Sequence, residues 1–383
     1  MCTSTGRNRC AMTSIPSPDL PARVAVLGTG LLGTSVALAA ARAGSVVRGW
    51  DADPQVTARA GALGAIAVAA DLTSAVEGAE LIVVCTPIAS IARTVVEALR
   101  ASPDAIVTDV GSIKGQVVRE VEDLAVAAGL DTRRFVPGHP MGGSERTGPE
   151  HASASVLDAI VWVLTPTPAS DPAAVDRLES FVAAVGARPV RLDPERHDRL
   201  VAVVSHLPQV ASTALMGLAA TEEADEPDIL LLAAGGFRDL TRLAASSAEL
   251  WSEILLANRG EVVRAIDLYV ERLRRLRDEV SDGAGDAVVA TFDEAKEARL
   301  QLAAKPQVRA GIAVLQIPIP DRPGALAELT SGLADGDVNI EDLQIVHSPE
   351  GGRGLVHLTV AAGAAEQATL VLSGRGFDTS RLA

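Results

Sequence analysis

Residues 24–51 read VAVLGTGLLGTSVALAAARAGSVVRGWD, and the order of residues in this stretch decides the fold. Val24–Leu27 is a short apolar run of the kind that forms a buried parallel strand. Gly28-x-Gly30-x-x-Gly33 follows without a gap, and an Ala/Leu-rich helix begins inside it. Gly28 permits a tight turn, Gly30 lets backbone approach a pyrophosphate, and Gly33 lets helix and strand pack closely. The helix N-terminus, with Leu31 and Leu32 in its first turn, offers unpaired N–H groups to phosphate oxygens. A second β-like run, Ser45–Trp50, ends on Asp51, whose carboxylate is placed to bind both ribose hydroxyls and to repel a 2′-phosphate. The stretch predicts a dinucleotide site that takes NAD rather than NADP. Taken alone, the glycines also fit a turn in some other α/β fold.

Outward from this turn, strand and helix signals alternate over residues 23–192, as in a doubly wound α/β sheet. Leu81–Val84 is a buried strand ending in Cys85-Thr86-Pro87, and Ala105–Thr108 is another ending in Asp109-Val110-Gly111-Ser112. Arg134–Val136 is a short strand leading into Pro137-Gly138-His139-Pro140, and Ile160–Leu164 and Pro189–Arg191 close the domain. Ligands bind beyond the carboxyl ends of strands in such sheets, so Thr86, Pro87 and Gly111 join the cofactor candidates. Ser112 and His139 are expected at the same edge.

After Asp193-Pro194, a cap with proline at the first helical position, the β signal disappears. A long apolar helix is expected through Leu200–Ala220, with others at 227–244, 247–278 and 286–303. The helical domain spans 193–305, and Lys305-Pro306 marks a linker. From 311 to 383 the signals run βαββαβ, with strands at Ile312–Ile317, Asp337–Val346 and Gly354–Val360 and a weak last one within Gly376–Leu382. Helices are expected at Ala325–Leu333 and Ala364–Leu372. Residues 1–22 are polar and read as a disordered leader without the apolar core of a signal peptide, and Met12 offers a second start.

Composition narrows the function classes. Of 383 residues, 48% are apolar but only 2% aromatic, so the cores are Ala, Val and Leu. A net charge of −15 argues against a nucleic-acid or anionic membrane surface. Three cysteines, Cys2, Cys10 and Cys85, show neither metal spacing nor a disulfide framework, which suits a cytoplasmic protein without a metal. No apolar run is read as reaching transmembrane length.

Three clusters carry reactive side chains. In Gly138-His139-Pro140-Met141-Gly142-Gly143-Ser144-Glu145, a histidine between glycine and proline is expected on a loop. An imidazole titrating near ~6.5 can accept a proton at neutral pH. In Ser205-His206-Leu207-Pro208, the proline kinks the helix, and His206 is either a site residue or a satisfied core histidine. His197 precedes His206 by nine positions, which puts it on the opposite side of an ideal helix; His206 is the one chosen for the cleft. In Gly235-Gly236-Phe237-Arg238-Asp239-Leu240-Thr241-Arg242, Asp239 and Arg242 share a helix face, and Arg242 carries the fork that a carboxylate fits. Glu249-Leu250-Trp251 follows.

Taken together, these motifs identify a resemblance. GxGxxG with Asp51, Gly111-Ser112-x-Lys114, Gly138-His139-Pro140-Met141-x-Gly143, Ser205-His206-Leu207-Pro208 and Phe237-x-Asp239-x-Thr241-Arg242 resemble the prephenate dehydrogenases of tyrosine biosynthesis. The resemblance runs along nearly the whole chain, the leader excepted. It implies a Rossmann domain, an all-helical dimerisation domain and, from Asp321–Gly324, Leu326 and Asn339-Ile340, a C-terminal module similar to the ferredoxin-like ACT domain. NAD would be the cofactor and prephenate the substrate, with arogenate dehydrogenase the runner-up. His139 would be the catalytic base, Ser112 would link it to the cofactor side, and His206 would position the substrate. Arg242 would clamp a substrate carboxylate, Asp239 would orient Arg242, and Glu145 and Trp251 would line the wall. Asp321, Arg322, Gly324 and Asn339 would receive an effector, L-tyrosine being the candidate, and the assembly would be a homodimer. A β-hydroxyacid dehydrogenase would use a helix lysine, in which this helical segment is poor, and a non-catalytic Rossmann–ACT sensor would not need the histidines.

Overall fold

The computed structural model describes residues 20–142, 147–223, 226, 228–303, 312–320, 322–347 and 353–381. In it, β1 (Arg23–Leu27), β2 (Val46–Trp50), β3 (Ala67–Val68), β4 (Leu81–Val84) and β5 (Ile106–Asp109) form one sheet in the order β3-β2-β1-β4-β5. All four pairings are parallel. β2 leaves to one side of β1 and β4 lies on the other, so the carboxyl ends of β1 and β4 flank the topological switch point.

The sequence dictates burial on both faces of this sheet. Val24, Val26, Leu81 and Val83 enter one apolar cluster, while Ala25, Leu27, Ile82 and Val84 enter another, which is the two-residue period of a strand. The helices between the strands are α1 (Leu31–Arg42), α2 (Pro54–Ala62), α3 (Leu72–Val76), α4 (Ile88–Ala101) and α5 (Gly115–Ala128). α1 packs into the first cluster with Val36, Ala37 and Ala40, and α4 into the second with Ile91, Val95 and Leu99. Each Val, Ile or Leu among these contributes roughly 1.5–3 kcal/mol on full burial.

A second sheet holds β6 (Gly138–Pro140), β7 (Val161–Leu164) and β8 (Arg188–Arg191), with α6 (Pro172–Ala184) between the last two. β6 is antiparallel to β7, and β8 is parallel to it. A single parallel bridge, Val107 to Phe135, stands where a strand at Arg134–Val136 was expected. His139 is therefore not on a loop: it pairs with Val163 inside β6. β6 is an edge strand of this sheet and Pro140 is its last residue, a position where a missing N–H is tolerated. Trp162, fully buried, anchors the first apolar cluster beneath it.

Pro194 opens a helix that runs to Glu222 in three parts: α7 (Pro194–Val201), a π turn at Ala202–His206, and α8 (Leu207–Glu222). Asp193 caps it by accepting the Arg196 N–H. Pro208 has no N–H, and its ring crowds the carbonyl four residues back, at Val204; the widened turn at that place relieves both. This helix is long and apolar enough to cross a membrane by length and composition, contrary to the sequence expectation. Its His197, Asp198 and His206 are instead buried among polar partners described below.

The remaining helices are α9 (Gly235–Thr241), α10 (Ala248–Ala257), α11 (Arg259–Ser281) and α12 (Gly285–Ala303). The helix expected at 227–244 is shorter, with a 3-10 turn at Arg242–Ala245, and the one expected at 247–278 is broken at Asn258. The chain divides into two compact units, the first ending at Val210 and including Ala245–Ile266, the second holding Ala211–Ala244 and Asp267–Ala383. The first unit extends past residue 192 because α7 packs on α5 and α10 on α4.

The C-terminal segment comprises β9 (Ile312–Pro320), α13 (Ala325–Asp335), β10 (Asp342–His347), β11 (Arg353–Ala361), α14 (Ala365–Gly374) and β12 (Ser380–Arg381). The sheet is antiparallel in the order β10-β11-β9-β12, over a core that includes Leu315, Ile317, Leu329, Val356, Leu358 and Leu372. β10 begins five residues later than expected. Asp337 takes a left-handed conformation, φ +53°, that ends α13 in a turn rather than starting a strand.

Candidate active site

The glycine turn has the geometry its sequence demands. Gly28 has φ +93°, and a Cβ there would lie 2.6 Å from the carbonyl carbon of Cys85, so β1 and β4 meet over a bare backbone. A Cβ on Gly33 would overlap the Gly28 carbonyl oxygen, whereas around Gly30 there is open space. Gly30 precedes α1 as its cap residue, so Leu31 and Leu32 stand in the first turn, where N–H groups lack helical acceptors. Asp51 accepts the Thr29 N–H at 2.7 Å with one carboxylate oxygen and the Asp53 N–H at 3.0 Å with the other. Each oxygen keeps a lone pair for a ribose hydroxyl. The hydroxyl of Thr86, directly after the Cys85 that Gly28 abuts, is buried with no partner among the described residues. An open approach at Gly30, a fixed acceptor pair at Asp51 and an orphaned hydroxyl at Thr86 fit a dinucleotide. Pro87 is the cap residue of α4, whose Ala89 N–H donates to Glu253 of α10 at 2.6 Å.

A polar cluster occupies the carboxyl end of β5. The Asp109 carboxylate is fully buried; it pairs with Lys114 Nζ and accepts the N–H groups of Gly111 at 2.9 Å and Gly138 at 3.3 Å. Lys114 also donates to the Gly138 carbonyl at 2.7 Å. One buried ion pair thus ties the loop carrying Ser112 to the strand carrying His139. Burial pulls the Lys114 ammonium down, and the Asp109 charge opposes that shift.

His139 is joined to the helical segment. Its Nδ1 lies 2.9 Å from Nε2 of His197, and His197 Nδ1 lies 2.8 Å from Oδ1 of Asp198. The Asp198 carboxylate further accepts the Lys114 N–H at 2.9 Å and the Gly115 N–H at 2.8 Å, at the start of α5. Asn258, in the break between α10 and α11, donates through Nδ2 to the Asp198 carbonyl at 2.9 Å and stands 3.3 Å from His206 Nδ1. The His206 ring meets Trp251 edge to face, with centroids 6.1 Å apart. Burial holds the His139 imidazole well below 6.5, reinforced by His197, Lys114 and His206. Burial likewise lowers His206 to about 4, against the pull of Asp198. Both shifts favour the neutral ring, and Nδ1 of His139 is the nitrogen engaged by His197.

The choice of His206 over His197 is corrected here. The π turn takes up one extra residue between the two, so that His197 reaches the Asp198 carboxylate and His206 reaches Asn258, which holds the Asp198 carbonyl, instead of facing apart. The expected Ser112–His139 link is also replaced: the Ser112 side chain makes no hydrogen bond among the described residues, and His197 holds the imidazole. Sequence reading missed His197, Asp198 and Asn258 as site residues. Asn258-Arg259-Gly260, inside an otherwise apolar helical run, was the available signal for the break. Asp239 and Arg242 belong to the second unit. Glu145, Gly143, Ser144 and Asp321 lie outside the described residues. Arg322 forms a two-pronged pair with Glu328 at 2.8 and 3.0 Å, Gly324 precedes α13 with φ +88°, and Asn339 donates to Glu341 at 2.6 Å.

Comparison with known proteins accounts for these features. Residues 36–191 match the family described as prephenate dehydrogenase, nucleotide-binding domain, and residues 193–294 match its dimerization domain. The first match starts beyond the glycine turn, so the turn is independent evidence. A prephenate dehydrogenase of Bacillus subtilis is 31% identical over 345 residues, covering 88% of this chain and 91% of the relative. A prephenate dehydrogenase from A. aeolicus, solved with hydroxyphenyl propionate and NAD+, is 29% identical with a TM-score of 0.68, over 73% of this chain and 98% of that one. An arogenate dehydrogenase of Synechocystis is 28% identical with a TM-score of 0.64, over 72% and 98%. The half-buried His139, joined to His197 and Asp198, lies in the same unit as the glycine turn, and the chain belongs to the prephenate dehydrogenase family.

Proposed function

We propose that the chain oxidises prephenate to 4-hydroxyphenylpyruvate with NAD, in the synthesis of L-tyrosine. The observation that carries this reading is the half-buried His139, whose desolvation favours the neutral ring and whose Nδ1 is engaged by His197. Prephenate is a cyclohexadienol with a C4 hydroxyl, a ring carboxylate and a pyruvyl side chain. The nicotinamide, when bound, supplies the hydride acceptor. His139 takes the hydroxyl proton at Nε2; loss of the ring carboxylate as carbon dioxide then sends its electron pair through the ring to the C4 oxygen, which takes the proton back from His139 as the ring becomes aromatic. His206 and Trp251 position the ring, with Ser112 toward the cofactor side. Asp51 selects NAD by its acceptors. Arg242, oriented by Asp239, is the carboxylate clamp on the family resemblance alone, and Glu145 is assigned to the wall on the same ground. The chain acts as a homodimer in the cytoplasm.

The experiment is NADH production with prephenate and with arogenate. Turnover of prephenate well above that of arogenate is expected. Preference for arogenate would replace the substrate, and no NADH from either would remove the dehydrogenase reading.

The βαββαβ order at the C-terminus supports a regulatory role as an ACT-type module sensing L-tyrosine. Arg322, Gly324 and Asn339, with Asp321, are the proposed receiving corner. Truncation after Lys305 is expected to abolish inhibition by tyrosine. Equal inhibition of both forms would mean that tyrosine acts at the active site.

A further inference from the structure

We propose that His197 and Asp198 are positioning residues that hold His139 in the one neutral tautomer able to act as the base. The inference rests on His139 being that base. It starts from an asymmetry of donors and acceptors. An ionised carboxylate only accepts, and Asp198 already accepts two backbone N–H groups, from Lys114 and Gly115. The nitrogen 2.8 Å from Asp198, His197 Nδ1, must therefore carry a proton. With that one proton on His197, its Nε2 has a lone pair, and the nitrogen 2.9 Å away, His139 Nδ1, carries a proton in turn. That leaves His139 Nε2 unprotonated. The carboxylate thus dictates, through one intervening ring, which nitrogen of the base is free.

The surroundings make this dictation firm. His197 is fully buried and Asp198 is only 7% exposed, so the contact between the two is largely shielded from water. Asn258 fixes the backbone of Asp198 from a different helix. During the reaction the hydroxyl O–H bond breaks and a bond forms between that proton and His139 Nε2. The oxygen keeps the electron pair, which forms the new carbonyl bond, and NAD, when bound, would supply the acceptor for the C4 hydride. The imidazolium so formed still points its Nδ1–H at His197, and the Asp198 charge lies in line beyond. A ring of the opposite tautomer would offer the hydroxyl a donor and could not take its proton.

The test is a nitrogen-15 spectrum of the full chain labelled at histidine, with His139→Asn assigning the His139 signal, beside kcat and KM for prephenate. In the unsubstituted chain His139 is expected with its proton on Nδ1. His197→Phe should shift the proton toward Nε2 and lower kcat by about 10–100-fold, with KM within about threefold. His197→Gln, whose side-chain oxygen still accepts from Nδ1–H, should keep the tautomer and recover most of that loss. If His197→Phe fails to fold, His197→Gln and Asp198→Asn carry the test, with the tautomer kept in the first and weakened in the second. A proton on Nε2 in the unsubstituted chain, or unchanged tautomer and kcat in His197→Phe, would overturn the proposal. Unchanged turnover in His139→Asn would instead overturn the reading of His139 as the base.

Discussion

The glycine turn and the histidine cluster lie in the same compact unit but are built in opposite ways. The turn is local: Gly28, Gly30, Gly33 and Asp51 follow one another along a strand, a helix and the next strand, and each meets a constraint visible in its own backbone. The cluster is assembled from afar: Asp109, Lys114, His139, His197, His206 and Asn258 come from six places, and none has meaning without the others. A local site tolerates distant change and fails when its own residues change. An assembled site fails at any of its joints.

The sharpest test of this contrast is His139→Asn. Turnover should fall by about 10²–10⁴ while NAD affinity stays nearly constant, because the turn does not depend on the cluster. Loss of NAD binding in the same variant would show the two regions to be one device. The second test is acid. The His206 pKa in the fold, about 4, lies below the unfolded value of about 6.5, so its contribution is complete above 6.5. That contribution is lost as pH falls toward 4, by roughly 3 kcal/mol for this ring alone. Urea unfolding at pH 7 and pH 4.5 should reveal the loss, and His206→Asn should reduce it, leaving the part that the depressed His139 contributes with the same sign. An equal pH dependence in both proteins would mean that His206 is not the group responsible.

Asp51→Ser probes the local site. The preference for NAD over NADP should shrink by about tenfold or more, with kcat for NAD little altered, as steady-state kinetics with both cofactors will report. Equal use of NADP by the unsubstituted enzyme would contradict the assignment. The smallest effect is expected of Arg242→Gln, in which KM for prephenate should rise by about tenfold with a lesser change in kcat. A rise confined to the KM of NAD would move Arg242 to the cofactor.

Legibility follows the same division. The turn, Asp51 and the alternation of strands and helices could be read directly, because steric and period rules act over a few residues. The C-terminal order was readable for that reason too, except where Asp337 bends the chain in a left-handed turn. His139 was found as a candidate but misplaced on a loop, since an edge strand accommodates a terminal proline. His197 was set aside because ideal helical phase turns it away from His206. The signal that phase would not be ideal was Pro208, already noted as a kink but not carried through to its effect on winding. Lys114 sits in a motif that marks the family and Asp109 lies two residues before it, yet their pairing spans a turn whose closure depends on the backbone of Gly138.

The π turn at Ala202–His206 has one more implication, for how such a site can be altered. Rotation and translation along a helix are unequally geared: one residue turns the helix by about 100° but advances it by only about 1.5 Å. Rewinding Ala202–His206 as regular helix with every residue kept would put nine even steps, about 900°, between His197 and His206 and turn them to opposite faces. Removing one residue from Val203–Ser205 would leave eight steps, about 800°, and keep the two rings within about 80° of each other. The segment works as a slack link, in which the winding and not the length of the helix aims two imidazoles at one cluster.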